Sequence, residues 1–461
     1  MIKIDFKNAN ERQRIKGFGA SACWWSQNVA TKKTAQELCD LLYTEKGLNL
    51  NIYRYNIGAG WDDANCRVPN PWRRCESFCI IDDENEDEGY CTGGYDWSRD
   101  NNAYRFLKLC LERGSIDTVI LFANSPHYAL TSSGQASGSL MHHTCNLPKS
   151  RYKAFAKYFL DITEHFINDG IPVSYISPIN EPQWKWGGKN VWQEGCHYEP
   201  EEVCEVFRIF AEEIEKRGLS VKLYGPESGE IGGKTQEYLN LFKQDEVIMR
   251  NLGVFAVHSY HSDRDVEARK IFYNDTVLKN PDIRFDMSEW CELPCISDTK
   301  SINGALNTAR IIGWDLCEMG AESWTAWVAV NQIADSKGDS KDYSDGLLSA
   351  TNGFSYYYIC KRYYALLHFT KFLRSADTVL DCSLTDNNGI NIFAFKCADG
   401  SQIAIAVNEG KEEAVEILTD LDKAEIYETT QKHNFKQIYS GKLSKTITLK
   451  AKSVTTVRLW K

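Results

Sequence analysis

Nowhere in the 461 residues does an apolar run approach the ~18 needed to cross a bilayer, so no transmembrane helix is expected. Positive charge is the scarcer sign: 53 Lys and Arg stand against 63 Asp and Glu, a net charge of −10. Such a surface repels phosphate backbones and anionic headgroups, which argues against nucleic acid and against membrane insertion. The opening Met1-Ile2-Lys3-Ile4-Asp5-Phe6 has no basic segment leading into an apolar one. The chain as it stands therefore reads as cytoplasmic, and as secreted only if an export signal once preceded it. No Gly-rich phosphate fingerprint follows the first strand-like run, against a doubly wound nucleotide-binding sheet. The acidic stretch 82–88 lacks the glycine and final glutamate of an EF-hand loop and reads as a solvated face. Cys66, Cys75, Cys79 and Cys91 do not form paired Cys-x₂-Cys knuckles, so neither a structural zinc nor any other metal is expected. No internal repeat is evident.

What is present fits a large soluble core, with 43% hydrophobic and 25% charged residues. The 16 cysteines are scattered, and without an export signal they read mostly as buried, reduced thiols. Aromatics are in excess, with 13 Trp and 23 Tyr, as suits a protein that stacks aromatic faces on neutral sugars.

β-type runs alternate with helical patterns along most of the chain. Strands are expected at Gly17–Trp25, Asn49–Ile57, Asp117–Asn124, Val173–Asn180, Ser220–Pro226, Val254–Tyr260, Ile283–Trp290 and Glu322–Val330. Helical patterns lie between them, for example Thr31–Tyr43, Ser150–Asp169, Pro200–Lys216 and Ile302–Met319, and a last one covers Phe354–Phe369. Eight strands, nearly all followed by a helix, predict an α/β (β/α)₈ TIM barrel. From about Ser375 short alternating runs separated by turns, such as Asp386-Asn387-Asn388-Gly389, predict an antiparallel β-sandwich. Ile2–Phe6 has no barrel partner and is expected to complete that sandwich. The expected division is residues 1–15 as the sandwich's N-terminal strand segment, 16–374 as the barrel and 375–461 as the rest of the sandwich.

Active groups of such barrels gather at the C-terminal strand ends. The fourth expected strand ends in Ser177-Pro178-Ile179-Asn180-Glu181-Pro182 and the seventh in Asp286-Met287-Ser288-Glu289-Trp290. Two glutamates thus meet at the mouth, and a carboxyl pair is what glycoside cleavage requires: one protonates the leaving oxygen while the other attacks or stabilises the anomeric carbon. The glutamate pair already accounts for the site, so no cofactor is implied. Glu227 and Glu322, on strands five and eight, are either accessory carboxylates or buried ion pairs. Cys291 and Cys295 follow the seventh strand, where Cys291 could tune its surroundings.

These strand ends resemble the clan of retaining glycosidases with catalytic glutamates on strands four and seven. More narrowly the chain resembles glycoside hydrolase family 30, through Gly17-Phe18-Gly19-Ala20-Ser21, Tyr53-Arg54-Tyr55-Asn56-Ile57-Gly58, Asn124-Ser125-Pro126 and Ser177–Pro182, across barrel and sandwich alike. The resemblance implies Glu181 as acid/base and Glu289 as nucleophile of a double displacement. Arg54 and Tyr260 are then expected beside Glu289, keeping it ionised. Asn180 is expected on the sugar 2-hydroxyl, with Asn124 among the sugar-binding residues. His258 is either a sugar contact or a satisfied structural histidine. The arrangement Asn-Glu-Pro-Gln-Trp…Gln-Glu-Gly-Cys resembles the family's endo-β-1,6-galactanase branch, which implies β-1,6-galactan or its oligosaccharides as substrate. Trp24, Trp25, Trp184, Trp186 and Trp327 are the candidate stacking shelves. The alternatives are a β-1,6-glucanase, β-xylosidase or β-glucosidase-like activity, or a non-catalytic carbohydrate-binding protein.

Overall fold

The computed structural model describes residues 2–29, 33–80, 91, 93–141, 144–293, 299–332, 345–350 and 356–461; the acidic stretch 82–88 and Cys295 lie outside them. Two short strands come first, β1 (Ile2–Asp5) and β2 (Glu11–Arg14). Eight more then close into a barrel: β3 (Gly17–Ser21), β4 (Ile52–Asn56), β5 (Thr118–Phe122), β6 (Val173–Ser177), β7 (Lys222–Ser228), β8 (Leu252–His258), β9 (Phe285–Trp290) and β10 (Ser323–Ala326). Every neighbouring pair is parallel, and β10 returns beside β3. All residues of β4 and β9 are buried, because one face of each strand meets the barrel interior and the other meets the helices outside. Ile52, Ile120, Tyr224, Val254 and Ala256 form a separate apolar cluster that half-buried Tyr175 packs against.

Local signals set the helices that connect these strands. Pro200–Arg217 starts with proline in its first turn and a reciprocal capping box between Glu199 and Glu202. It carries Glu201 and Glu202 in the first turn and Lys216 and Arg217 in the last, as the helix dipole favours, and stops at Gly218 in the left-handed region (φ 65°). The run Gly17–Trp25, expected as one strand, divides: pairing ends at Ser21, and a short helix Ser26–Val29 follows. The start of the expected helix Phe354–Phe369 lies outside the described residues, and the rest is corrected. Tyr357–Ile359 is a strand pairing with Leu348–Ala350, and the helix runs from Lys361 to Thr370.

The C-terminal region forms two sheets around a second core that includes Ile4, Phe6, Ile392, Ile417, Leu449 and Val457. β1 forms the edge of the smaller sheet, parallel to Glu413–Leu418. The N-terminal strand therefore completes the side domain. β2, which no sequence pattern announced, joins the larger sheet against Thr378–Leu380. Helix Ile302–Cys317 is buried along nearly its whole length because it lies between barrel and side domain. There Gly313 meets the Phe393 ring so closely that a Cβ would fall 2.0 Å from it, and the Trp314 indole donates to Asn391 at 2.9 Å. Among the described residues no helix is long and apolar enough to cross a membrane. Cys79 and Cys91 form a disulfide, while Cys66 and Cys75 are free, so two of the four thiols weighed for zinc are already spent.

Candidate active site

All eight barrel strands deliver a polar or aromatic side chain to one end of the barrel. Arg54 is central. It points inward from β4, fully buried against the Phe122 ring at 3.5 Å, and donates to Glu289 Oε2 at 2.8 Å, to Asn180 Oδ1 at 2.9 Å and to Glu227. Burial works against its charge; Glu227 and Glu289 more than reverse that. Glu289 also accepts from the Tyr260 hydroxyl at 3.1 Å. Arg54 and Tyr260 are thus both beside Glu289.

Glu181 and Glu227 each sit at positive φ, 48° and 52°, a region sparsely used by non-glycine residues. They are tied together, the Glu181 amide donating to the Glu227 carbonyl at 2.9 Å. A Cβ at Gly229 would lie 2.3 Å from Trp184 Nε1 and 3.0 Å from Glu181 Oε1, so only glycine leaves room for the acid's carboxylate and the indole together. His258 bridges the two glutamates, Nδ1 to Glu181 at 3.0 Å and Nε2 to Glu227 at 3.2 Å.

The electrostatics follow from these contacts. Burial pushes the Glu289 carboxyl up to about 7; His258 and Arg54 oppose the rise, and Glu181 and Glu227 add to it. His258 is raised to about 9, since the carboxylates of Glu289, Glu181 and Glu227 outweigh its burial. Burial works against ionisation of Glu227, and Arg54 and His258 more than reverse it. Three carboxyl groups thus gather around Arg54 and His258 in a largely buried site. Glu181, His258 and Glu289 each offer a ligand atom, all within 4.8 Å of one another, the one such group among the described residues. The Arg54 guanidinium already fills the cationic place beside Glu289.

The tryptophans divide. Trp24 and Trp327 meet edge to face at 5.3 Å above the barrel, and Trp327 lies 5.9 Å from the Arg54 guanidinium carbon. Trp186 donates to the Glu181 carbonyl at 3.0 Å, and Trp184 stands edge-on to His261 at 5.3 Å. Trp25 is not at the mouth. It is wholly buried, bonded to the Ser21 carbonyl and set against Phe106, because the chain turns into a helix once β3 ends. Glu322 is likewise no accessory: it precedes β10, at the opposite end of the barrel, beside Lys16. Glu227 combines both roles weighed for it, a buried ion pair that lies inside the site.

Two groups escaped the sequence reading. Glu194, from the long loop after β6, is buried against Asn56 Nδ2 at 3.2 Å and the Ala59 amide at 3.3 Å, with the Trp24 indole at 3.5 Å. Burial raises its carboxyl to about 7, against those hydrogen bonds. Asn56 stands two residues from Arg54 on one strand and so shares its face, the signal that could have found it.

A closed (β/α)₈ barrel with two carboxylates and an arginine converging at the C-terminal ends of its strands defines the class of barrel glycoside hydrolases. The chain belongs to O-glycosyl hydrolase family 30, whose family model matches residues 1–348. It is 27% identical over 223 residues to an endo-β-1,6-galactanase of Hypocrea rufa, a match covering 44% of this chain and 45% of that one. The chain thus spans under half the length of that relative. Among solved structures, a conserved exported protein of Bacteroides fragilis superposes with a TM-score of 0.82 at 21% identity, covering 99% of this chain and 100% of the other. An endo-β-1,6-glucanase superposes with a TM-score of 0.70 at 15% identity, covering 100% and 94%.

Proposed function

We propose that the protein is a retaining β-glycosidase that cleaves β-1,6-linked galactan or its oligosaccharides by double displacement. The observation that carries the mechanism is the approach of Glu181 and Glu289, with carboxylate oxygens within 4.8 Å at the barrel mouth. An inverting pair stands roughly 6.5–9.5 Å apart to admit a water, whereas a retaining pair is closer. Arg54 bonds both Glu227 and Glu289 and opposes the rise that burial gives Glu289, which favours Glu289 as the attacking anion and leaves Glu181 the role of acid.

In the first step Glu289 attacks the anomeric carbon while Glu181 gives its proton to the departing glycosidic oxygen. A glycosyl–Glu289 ester results, with the anomeric centre inverted once. Loss of the negative charge on Glu289 leaves Arg54 and His258 facing one carboxylate fewer, which favours Glu181 as an anion. Glu181 then takes a proton from water, whose oxygen attacks the same carbon, expels Glu289 and inverts it again. The Tyr260 hydroxyl and Arg54 steady the departing carboxylate. Asn180 reads the 2-hydroxyl, and the half-buried Trp184 and Trp186, with Trp327 beside Arg54, offer faces to the sugar chain, while buried Trp24 backs Trp327.

The galactan assignment is supported by the Asn180-Glu181-Pro182-Gln183-Trp184 and Gln193-Glu194-Gly195-Cys196 segments and by the likeness to the Hypocrea galactanase. Its test is reducing-end release from β-1,6-galactan, β-1,6-glucan and xylan in parallel. Preferential cleavage of the galactan is expected. Preference for glucan or xylan would retain the mechanism and replace the substrate, and folded protein inert on every β-linked sugar would point to a binding protein.

A further inference from the structure

A row of side-chain amides runs from the site to Glu194, and every hydrogen bond in it points the same way. Arg54 Nη2 donates to Asn180 Oδ1 at 2.9 Å, Asn180 Nδ2 to Asn124 Oδ1 at 3.3 Å, Asn124 Nδ2 to Asn56 Oδ1 at 3.3 Å, and Asn56 Nδ2 to Glu194 Oε2 at 3.2 Å. All five residues are buried, so water does not compete for these groups. An asparagine can face a neighbour with either its oxygen or its NH₂, and a row of three has no inherent direction. The ends decide. Arg54 can only donate, and Glu194 accepts from every partner it has here, Asn56, Trp24 and the Ala59 amide.

We propose that Glu194 is a positioning residue for the reaction: as the terminal acceptor of this one-way row, it fixes the orientation in which the Asn180 amide meets the sugar 2-hydroxyl. Glu194 comes from the loop after β6 yet reaches across to Trp24 after β3 and Asn56 on β4, so it acts on Asn180 only through Asn56 and Asn124. A flip at Asn56 would set donor against donor at Asn124, then at Asn180, and turn the Asn180 NH₂ towards the Arg54 guanidinium. With cooperative bonds in a dry interior, the row holds or fails as a unit. This inference rests on the glycosidase reading and deepens it.

Glu194→Gln tests it. The new NH₂ confronts the Asn56 and Trp24 donors in one orientation and the Ala59 amide in the other, so neither orientation serves all three donors and the row's end is weakened with almost no change of volume. The assay compares kcat/KM on an aryl β-glycoside and on its 2-deoxy analogue. E194Q is expected to lose about tenfold on the parent, the size of one compromised hydrogen bond, and to stay within about twofold on the analogue, which has no 2-hydroxyl to misread. Adding Asn56→Asp restores the row's direction, because the new carboxylate accepts both from the side-chain NH₂ introduced by E194Q and from Asn124, and most of the parent activity is expected to return. If E194Q fails to fold, Asn56→Leu severs the row with Glu194 in place and is expected to give the same selective loss. Equal losses on both substrates, no loss, or no rescue by the double variant would overturn the proposal alone. Wild-type protein inert on both substrates and on every β-linked polysaccharide would overturn the hydrolase reading and this proposal with it.

Discussion

Replacing Glu181 by Gln perturbs the two carboxylates in separable ways. The amide keeps the side chain's shape and an oxygen for His258 Nδ1, which Glu181 meets at 3.0 Å, but it cannot give a proton to the leaving oxygen and carries no charge. Two unit charges at 4.8 Å, the outer limit for these carboxylate oxygens, repel by about 3.5 kcal/mol at an effective dielectric constant near 20, the equivalent of roughly 2.5 pKa units on Glu289. Burial sets the larger part of the rise of Glu289 to about 7, and the repulsion adds to it. Glu289 works as an anion, so activity is full above that pH and is lost as pH falls through it. The assay is kcat/KM against pH on an aryl glycoside whose phenol leaves without help. There the variant should stay near wild-type at high pH, with its acid limb moved down by roughly one to two units. On a substrate with a poor leaving group the same variant should lose about 10²–10⁴-fold, the scale of general acid catalysis. An acid limb that stays put or moves up would refute the shared-charge picture, and equal losses on both leaving groups would remove Glu181 from the acid role.

Glu289→Gln should abolish glycosylation for every leaving group, while an NMR time course of the wild-type reaction should show the β-anomer of the product first; the α-anomer first would exclude double displacement. Deleting residues 1–6 removes the Ile2–Asp5 ladder and buried Ile4 and Phe6. Hydrogen exchange should then accelerate in Glu413–Leu418 and Thr446–Leu449 while the barrel strands keep their protection, and uniform loss of protection would contradict the separate core.

The alternation of strand and helix, and with it the barrel, was legible because each strand is a short apolar run followed by an amphipathic helix. The change of rhythm near Ser375 announced the side domain. Strand ends were less legible. Trp25 reads as a continuation of the apolar Gly17–Trp25 run, yet the pairing of β3 stops at Ser21 and the chain turns the indole into the core. Four polar residues at the mouth, Arg54, Asn180, Glu181 and Glu289, were accessible from strand-end position and the family resemblance together. Glu194 was not, because its partners are more than a hundred residues away in sequence. β2 escaped for a different reason: Glu11-Arg12-Gln13-Arg14 has no apolar alternation, and its pairing is set by the neighbouring strand.

The N-terminal strand also has a consequence in time. Lys7, just after β1, pairs with Asp420 across 413 residues of chain. At about 5–20 residues per second of synthesis, β1 emerges and then waits on the order of 20–80 seconds before its partner strand exists. An unpaired strand in a crowded cell is a template for strangers. Lys3, Asp5 and Lys7 alternate with Ile2, Ile4 and Phe6, so one face stays charged and discourages pairing with other chains during that wait. When Glu416 arrives it meets Lys3 at 3.0 Å, so the charge that guards the nascent strand also helps it recognise its own partner.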